Sequence, residues 1–80
     1  MTYRLPPLNS LRAFEAAARH LSFKDASDEL SVTPGAVSQQ IRLLGDRIGQ
    51  PLFTRSREGV VLTGAGAVVH PALLSAFDQI

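Results

Sequence analysis

The chain has 80 residues, 45% of them hydrophobic and 19% charged, with 8 Lys and Arg against 7 Asp and Glu and no cysteine. Such a length holds one small domain and excludes a multidomain enzyme. Without disulfides or thiolate clusters, packing alone has to stabilise a chain that buries only about 60–70% of its unfolded surface. The lack of cysteine and of an apolar leader in residues 1–7 points to a cytoplasmic protein. The apolar runs, such as residues 59–62, fall far short of the roughly 20 residues that span a bilayer.

Leu5-Pro6-Pro7-Leu8 resists helix because each proline fixes its own φ and restricts the residue before it, whereas Asn9 supplies a capping oxygen. A first helix therefore starts near Ser10, with Leu11, Phe14, Ala18 and Leu21 along one apolar face. Ser22-Phe23-Lys24-Asp25 resembles a capping box with Asp in place of Glu. Phe23, Ala26 and Leu30 mark the second, short helix that follows, ending near Leu30.

Thr33 as N-cap and Pro34 at the first helical position open a third helix after a tight turn. Val37, Ile41, Leu44 and Ile48 form its apolar stripe, with Ser38, Gln39, Arg42 and Asp46 off it. Gly45 inside this helix costs about 1 kcal/mol relative to Ala, and Gly49 caps its end. The triplets 52–54 and 60–62 predict a small hairpin whose tip carries Arg55 and Arg57. Thr63 caps a final helix from about Gly64 toward Ile80. It carries Val69, Leu73, Phe77 and Ile80 on one side, and Val68, Ala72 and Ala76 adjacent. Pro71 lies too deep to be an opening residue and predicts a kink near Ala67 or a division. So broad an apolar arc points to a second subunit, with internal packing of both faces as the alternative.

Net charge of +1 neither demands nor forbids a nucleic-acid partner, but its distribution is uneven. Residues 33–62 carry Arg42, Arg47, Arg55 and Arg57 against Asp46 and Glu58, while Asp25, Asp28 and Glu29 precede them. An ordinary solvated surface is the plain alternative. Two short helices joined by a tight turn, the second opening Thr-Pro with Ser and Gln outward, make a helix-turn-helix. In that geometry the first helix braces across the DNA backbone and the second lays its opening turns in the major groove. Gly35 and Ala36 permit close approach there, Ser38 can bond a base or phosphate, and Gln39 can pair with adenine. The hairpin then becomes a wing whose arginines enter a minor groove or bond phosphates.

Residues 8–18, Leu21-Ser22-Phe23, Val32-Thr33-Pro34, residues 36–41, Leu52-Phe53-Thr54-Arg55 and Leu62-Thr63-Gly64-Ala65-Gly66 closely resemble the N-terminal domain of LysR-type transcriptional regulators. Within that family, the opening and residues 74–80 are similar to the branch containing the glycine-cleavage activator and the β-lactamase regulator. The resemblance implies a mainly α fold, a winged helix-turn-helix over residues 1–63 with a small two-stranded wing, followed by a linker and dimerisation helix over residues 64–80. It implies Pro34, Gly35, Ser38 and Gln39 facing the major groove and Arg55 and Arg57 at the wing. Val69, Leu73, Phe77 and Ile80 would pair with a second subunit, placing two recognition helices on a pseudo-palindromic operator. Ser22, Lys24 and Thr33 join them as candidate DNA contacts. Arg42 either reaches a phosphate or pairs with Asp46 four residues on. Family members carry a longer C-terminal effector-binding domain, so any small-molecule sensing is expected outside this chain.

Three positions depart from the family pattern. Gly45 stands where Glu is usual and is expected to loosen the recognition helix. Asp25 sits where a base or neutral residue is common and would repel a phosphate, and Ser27 replaces a common Ala. His20 and His70 lack metal-ligand spacing or an acid-base partner and are expected at the surface or at helix ends, with no chemistry. No nucleophile elbow, catalytic carboxylate pair or phosphate-binding loop is present, and Gly64-Ala65-Gly66 lacks the rest of a dinucleotide fingerprint. The expectation is therefore no enzyme and no cofactor. The competing class is a winged helix for protein–protein contact and dimerisation, without specific DNA binding.

Overall fold

The computed structural model describes residues 9–78, and side chains through residue 75. Asn9, extended at φ −130°, accepts a hydrogen bond from the Arg12 N–H at 2.9 Å and so starts α1, Ser10–His20. The buried stripe of α1 is Ala13, Phe14, Ala16, Ala17 and Ala18. Four alanines around one phenylalanine let neighbouring helices approach the backbone closely. Leu11 and Leu21, expected on this face, are instead 43% and 44% exposed. Leu11 lies in the first turn, before the core begins. Leu21 is the C-cap at φ 53°, a left-handed conformation that takes its side chain off the helical phase.

Ser22 caps α2, Phe23–Leu30, by accepting from the Asp25 N–H at 3.1 Å; among the described residues the reciprocal half of the capping box does not form. Ser27 is buried, and its hydroxyl donates to the Lys24 carbonyl at 2.6 Å, so Ser in place of Ala leaves no polar group unsatisfied. After a turn of Ser31, Val32 and Thr33, α3 runs Pro34–Ile48, with Thr33 accepting from the Ala36 N–H at 3.1 Å. Val37, Ile41 and Leu44 enter the core. Ile48 does not, because the last turn overshoots the core edge and leaves it 42% exposed. Nor is Gly45 a loose point. It is buried, and a Cβ there would stand 3.0 Å from the Gln50 carbonyl oxygen, against the chain as it doubles back.

Leu52, buried and outside the ladder, anchors the hairpin base. β1, Phe53–Ser56, and β2, Gly59–Leu62, pair antiparallel in the register Phe53↔Leu62, Thr54↔Val61, Arg55↔Val60 and Ser56↔Gly59. Phe53 joins the core edge-on, its ring 5.4 Å from that of Phe23.

Thr63 ties the wing to the final helix. Its N–H bonds the Leu52 carbonyl at 3.0 Å, its hydroxyl donates to the Pro51 carbonyl at 2.7 Å, and its Oγ1 accepts from the Gly66 N–H at 3.1 Å. α4 then runs Gly64–Asp78 as one element through Pro71, so the expected division does not occur. The hydrogen bond that Pro71 cannot make belongs to Ala67, and both residues face solvent, where water can serve the freed carbonyl.

The inward side of α4 holds two of the residues expected on a subunit seam. Leu73 is buried in the core and Val69 packs against it, because the Thr63 and Gly66 contacts turn that face toward α1 and the wing base. The Phe77 side chain and Ile80 lie outside the described residues. His70 also faces inward, contrary to a surface placement. Its ring stands edge-on to Phe14 at 6.0 Å, and its Nε2 is buried without a hydrogen-bond partner among the described residues. No helix among the described residues is long and apolar enough to cross a membrane.

Candidate nucleic-acid interface

The opening of α3 buries Val37 in the core and turns its other side outward. Pro34, Gly35 and Gln39 are exposed, and Ser38 and Ala36 half-buried, so short and polar groups form one outward face over the first two turns. Among the described residues nothing requires Gly35 to be small, since a Cβ there would meet only Thr33 Oγ1 at 4.0 Å. The open space beside it suits a surface that must come close from outside.

Arg42 lies one turn further along this face and is exposed. Of the two options left by the sequence, pairing with Asp46 does not form among the described residues, so its guanidinium is available. A groove of about 450 Å³ separates Ser38 and Arg42 on one wall from Gln50 and Phe53 on the other. Gln50 was not singled out from sequence; its only signal is a polar residue next to Pro51 in the connection between α3 and the wing.

The wing departs from expectation at its tip. Arg55 is within β1, and the turn consists of Arg57 and Glu58, so the tip carries both signs. Side chains alternate across a strand, which puts Arg55 on the same face as Phe53, opposite Val60 and one step beyond the core edge. Both wing arginines are exposed and unpaired among the described residues.

The first helix of the pair is less open. Ser22 is half-buried and already accepts from Asp25, and Lys24 Nζ pairs with Asp28 at 3.1 Å. Both partners in that pair are more than half exposed, so a phosphate can compete for the lysine.

Acidic charge is neutralised elsewhere. Arg19 forks onto Glu15 at 2.8 Å and onto Glu29 at 2.8 Å, tying α1 to α2. His20, expected to be isolated, has Nε2 2.7 Å from Glu29 Oε1. Hydrogen bonds from Arg19 first, and His20 second, hold the Glu29 carboxyl down to about 2, and the Arg19 bond holds Glu15 below its ordinary range. In turn the two carboxylates raise Arg19. The consequence is segregation: Arg12, Arg42, Arg47, Arg55 and Arg57 remain unpaired among the described residues while the acids of α1 and most of those of α2 are occupied.

Residues 8–67 match the family model described as bacterial regulatory helix-turn-helix protein, lysR family. The chain is similar to the HTH-type transcriptional activator AmpR of Providencia stuartii, 57% identical over 74 residues that cover 92% of this chain and 25% of the relative. It is also similar to the glycine cleavage system transcriptional activator of Escherichia coli strain K12, 49% identical over 80 residues, covering 100% of this chain and 26% of the relative. The chain thus spans about a quarter of the length of these relatives. Among solved structures, the BenM DNA-binding domain in complex with benA site 1 DNA superposes with a TM-score of 0.81 at 27% identity, over 88% of this chain and 79% of that one.

Proposed function

The chain belongs to the lysR family of bacterial regulatory helix-turn-helix proteins, and from that premise we propose that it is the operator-reading part of a transcriptional regulator, binding double-stranded DNA with sequence preference. The observation that carries this is the outward, small and polar face at the opening of α3, together with Arg42 further along it and Arg55 and Arg57 on the wing, all three exposed and unpaired among the described residues. In this reading Gly35 lets the backbone approach the major groove, and Ser38 and Gln39 meet base edges. Arg42, Arg55 and Arg57 neutralise phosphates, Thr33 and Ser22 offer hydroxyls to the backbone, and Lys24 exchanges Asp28 for a phosphate. The unit that reads DNA is residues 1–63, and residues 64–80 form the linker that joins two copies.

Two copies on one operator require a seam, and with Leu73 and Val69 turned inward this reading gives it the outward side of α4. Val68, Pro71, Ala72 and Ser75 fall at i, i+3, i+4 and i+7 on the outward side of α4, and all are exposed, Val68 at 73%. Small residues around one valine suit close helix-to-helix contact. The reading places the protein in the cytoplasm, with no catalysis and no cofactor of its own. A small-molecule effector, if one acts, engages the part of such regulators that this chain does not span.

Selection of sequences from a random duplex pool, followed by salt titration of the best binder, tests the proposal. Enrichment of a two-half-site sequence with a steep salt slope is the expected result. Binding without enrichment removes sequence reading from this chain. No binding at low salt replaces the proposal with a protein-contact module.

A further inference from the structure

Among the described residues, one backbone hydrogen bond fastens the wing to the helix-turn-helix. The Leu21 carbonyl, at the turn between α1 and α2, accepts a hydrogen bond from the Val60 N–H at 3.3 Å. Hydrogen-bonded and open pairs alternate along an antiparallel ladder. The Thr63-to-Leu52 bond sets Thr54↔Val61 in the bonded series, so Arg55↔Val60 is an open pair and the Val60 N–H points off the free edge of the wing.

Leu21, and Gly59 beside Val60, sit in backbone conformations that side chains disfavour. Leu21 is left-handed at φ 53°, although it is 44% exposed and so gains little burial there. Gly59, next to Val60, has φ 148°, and a Cβ on it would lie 2.5 Å from the same Leu21 carbonyl oxygen. The glycine therefore answers two needs at once, the turn into β2 and the passage of the α1–α2 turn against the wing.

We propose that Leu21 and Gly59 form a latch that positions Arg55 and Arg57 relative to α3, making them positioning residues for DNA binding. This rests on the DNA-reading function proposed above. Val60 lies directly across from Arg55, so the latch is one cross-strand step from the arginine it places. A hairpin of two short strands hinged only at its base would let that arginine swing; a bond from its free edge to the helix pair removes that freedom.

A double-mutant cycle on the 80-residue chain and the best selected duplex tests it. Arg55→Ala is expected to weaken binding about ten-fold in the unmodified chain and less than about two-fold beside Gly59→Ala, which alone should cost about as much. Leu21→Val repeats the test without altering the wing, since a β-branched residue resists the left-handed region, whereas Leu21→Asn tolerates it and should bind within about two-fold of the unmodified chain. Amide exchange at Val60 reports the latch without DNA: protected in the unmodified chain, fast in Gly59→Ala and in Leu21→Val. Equal losses for Arg55→Ala in all backgrounds, or an unprotected Val60 amide in the unmodified chain, overturn the latch while leaving DNA reading intact. Failure of the unmodified chain to bind any duplex overturns both.

Discussion

The rings of Phe14 in α1 and Phe53 in β1 meet with centroids 5.5 Å apart at an angle of 58°, joining the helix that carries the core to the base of the wing. Phe14 is wholly buried and also meets His70. Its loss leaves a cavity among alanines, which cannot move in to fill it. Phe14→Ala is expected to cost about 3–5 kcal/mol, comparable with the whole stability of so small a domain, and Phe53→Ala less because Phe53 is only half-buried. Urea unfolding followed by circular dichroism should show Phe14→Ala largely unfolded without denaturant; a midpoint near that of the unmodified chain would contradict this packing.

What the sequence made legible was local. Asn9, Ser22, Thr33, Gly49 and Thr63 mark their helix ends through bonds made within a few residues, and the structure has each where the pattern puts it. Leu11, Leu21 and Ile48 were misplaced because helical periodicity continues to the end of an element, whereas burial stops at the edge of the core. Val69 and Leu73 turn inward for a reason the pattern does not carry. The apolar arc of α4 is broad, and which part turns inward depends on where Thr63 and Gly66 dock against Leu52, a contact between segments with no periodic trace. His20 and Glu29 lie nine residues apart and meet only because two helices pack.

Gly66 marks that docking point. A Cβ on it would overlap the Leu52 carbonyl oxygen and come within 2.8 Å of Leu62 Cδ2. The backbone oxygen already accepts the Thr63 N–H and has little room to yield. Gly66→Ala should therefore destabilise by about 1–3 kcal/mol despite the better helix propensity of alanine. Gly64→Ala, where a Cβ meets nothing within 4 Å among the described residues, is the control and should be neutral or slightly stabilising when both variants are compared by thermal melts.

The Arg19 cluster gives stability a defined acid limb. Unfolded Glu29 takes up its proton near the ordinary 4.5, whereas the folded chain keeps it ionised down to about 2. Between those values the unfolded state binds more protons, so the stabilisation is complete above about pH 4.5 and is lost as pH falls toward 2. Glu15, also lowered, adds in the same direction. Replacing Arg19 with Gln should lower stability at neutral pH by a small amount, since Arg19 and Glu29 are exposed, and flatten the decline below pH 4.5. Urea midpoints from pH 7 to 2.5 for both proteins check it; parallel curves would show that the cluster does not set the acid limb.

Base reading and phosphate contact predict different losses. Gln39→Ala should weaken the selected duplex by about 1–3 kcal/mol and an unrelated duplex much less. Arg42→Ala should weaken both alike and lower the salt slope by about one. Fluorescence titrations on the two duplexes at several salt concentrations separate the cases. Equal losses on both duplexes for Gln39→Ala would remove it from the reading face.

The two sides of α4 make the last distinction. Val68 is 73% exposed and Leu73 is buried, so a polar residue at each should fail differently. Val68→Glu places a charge in the proposed seam without touching the core. It should leave the melting temperature of the monomer nearly unchanged while raising the dimer dissociation constant about ten-fold or more. Leu73→Ala empties core volume and should cost about 2–5 kcal/mol of stability. Sedimentation equilibrium and thermal melts on both variants test the assignment. If Val68→Glu leaves the association unchanged, the seam is not this outward face, and the subunits meet elsewhere.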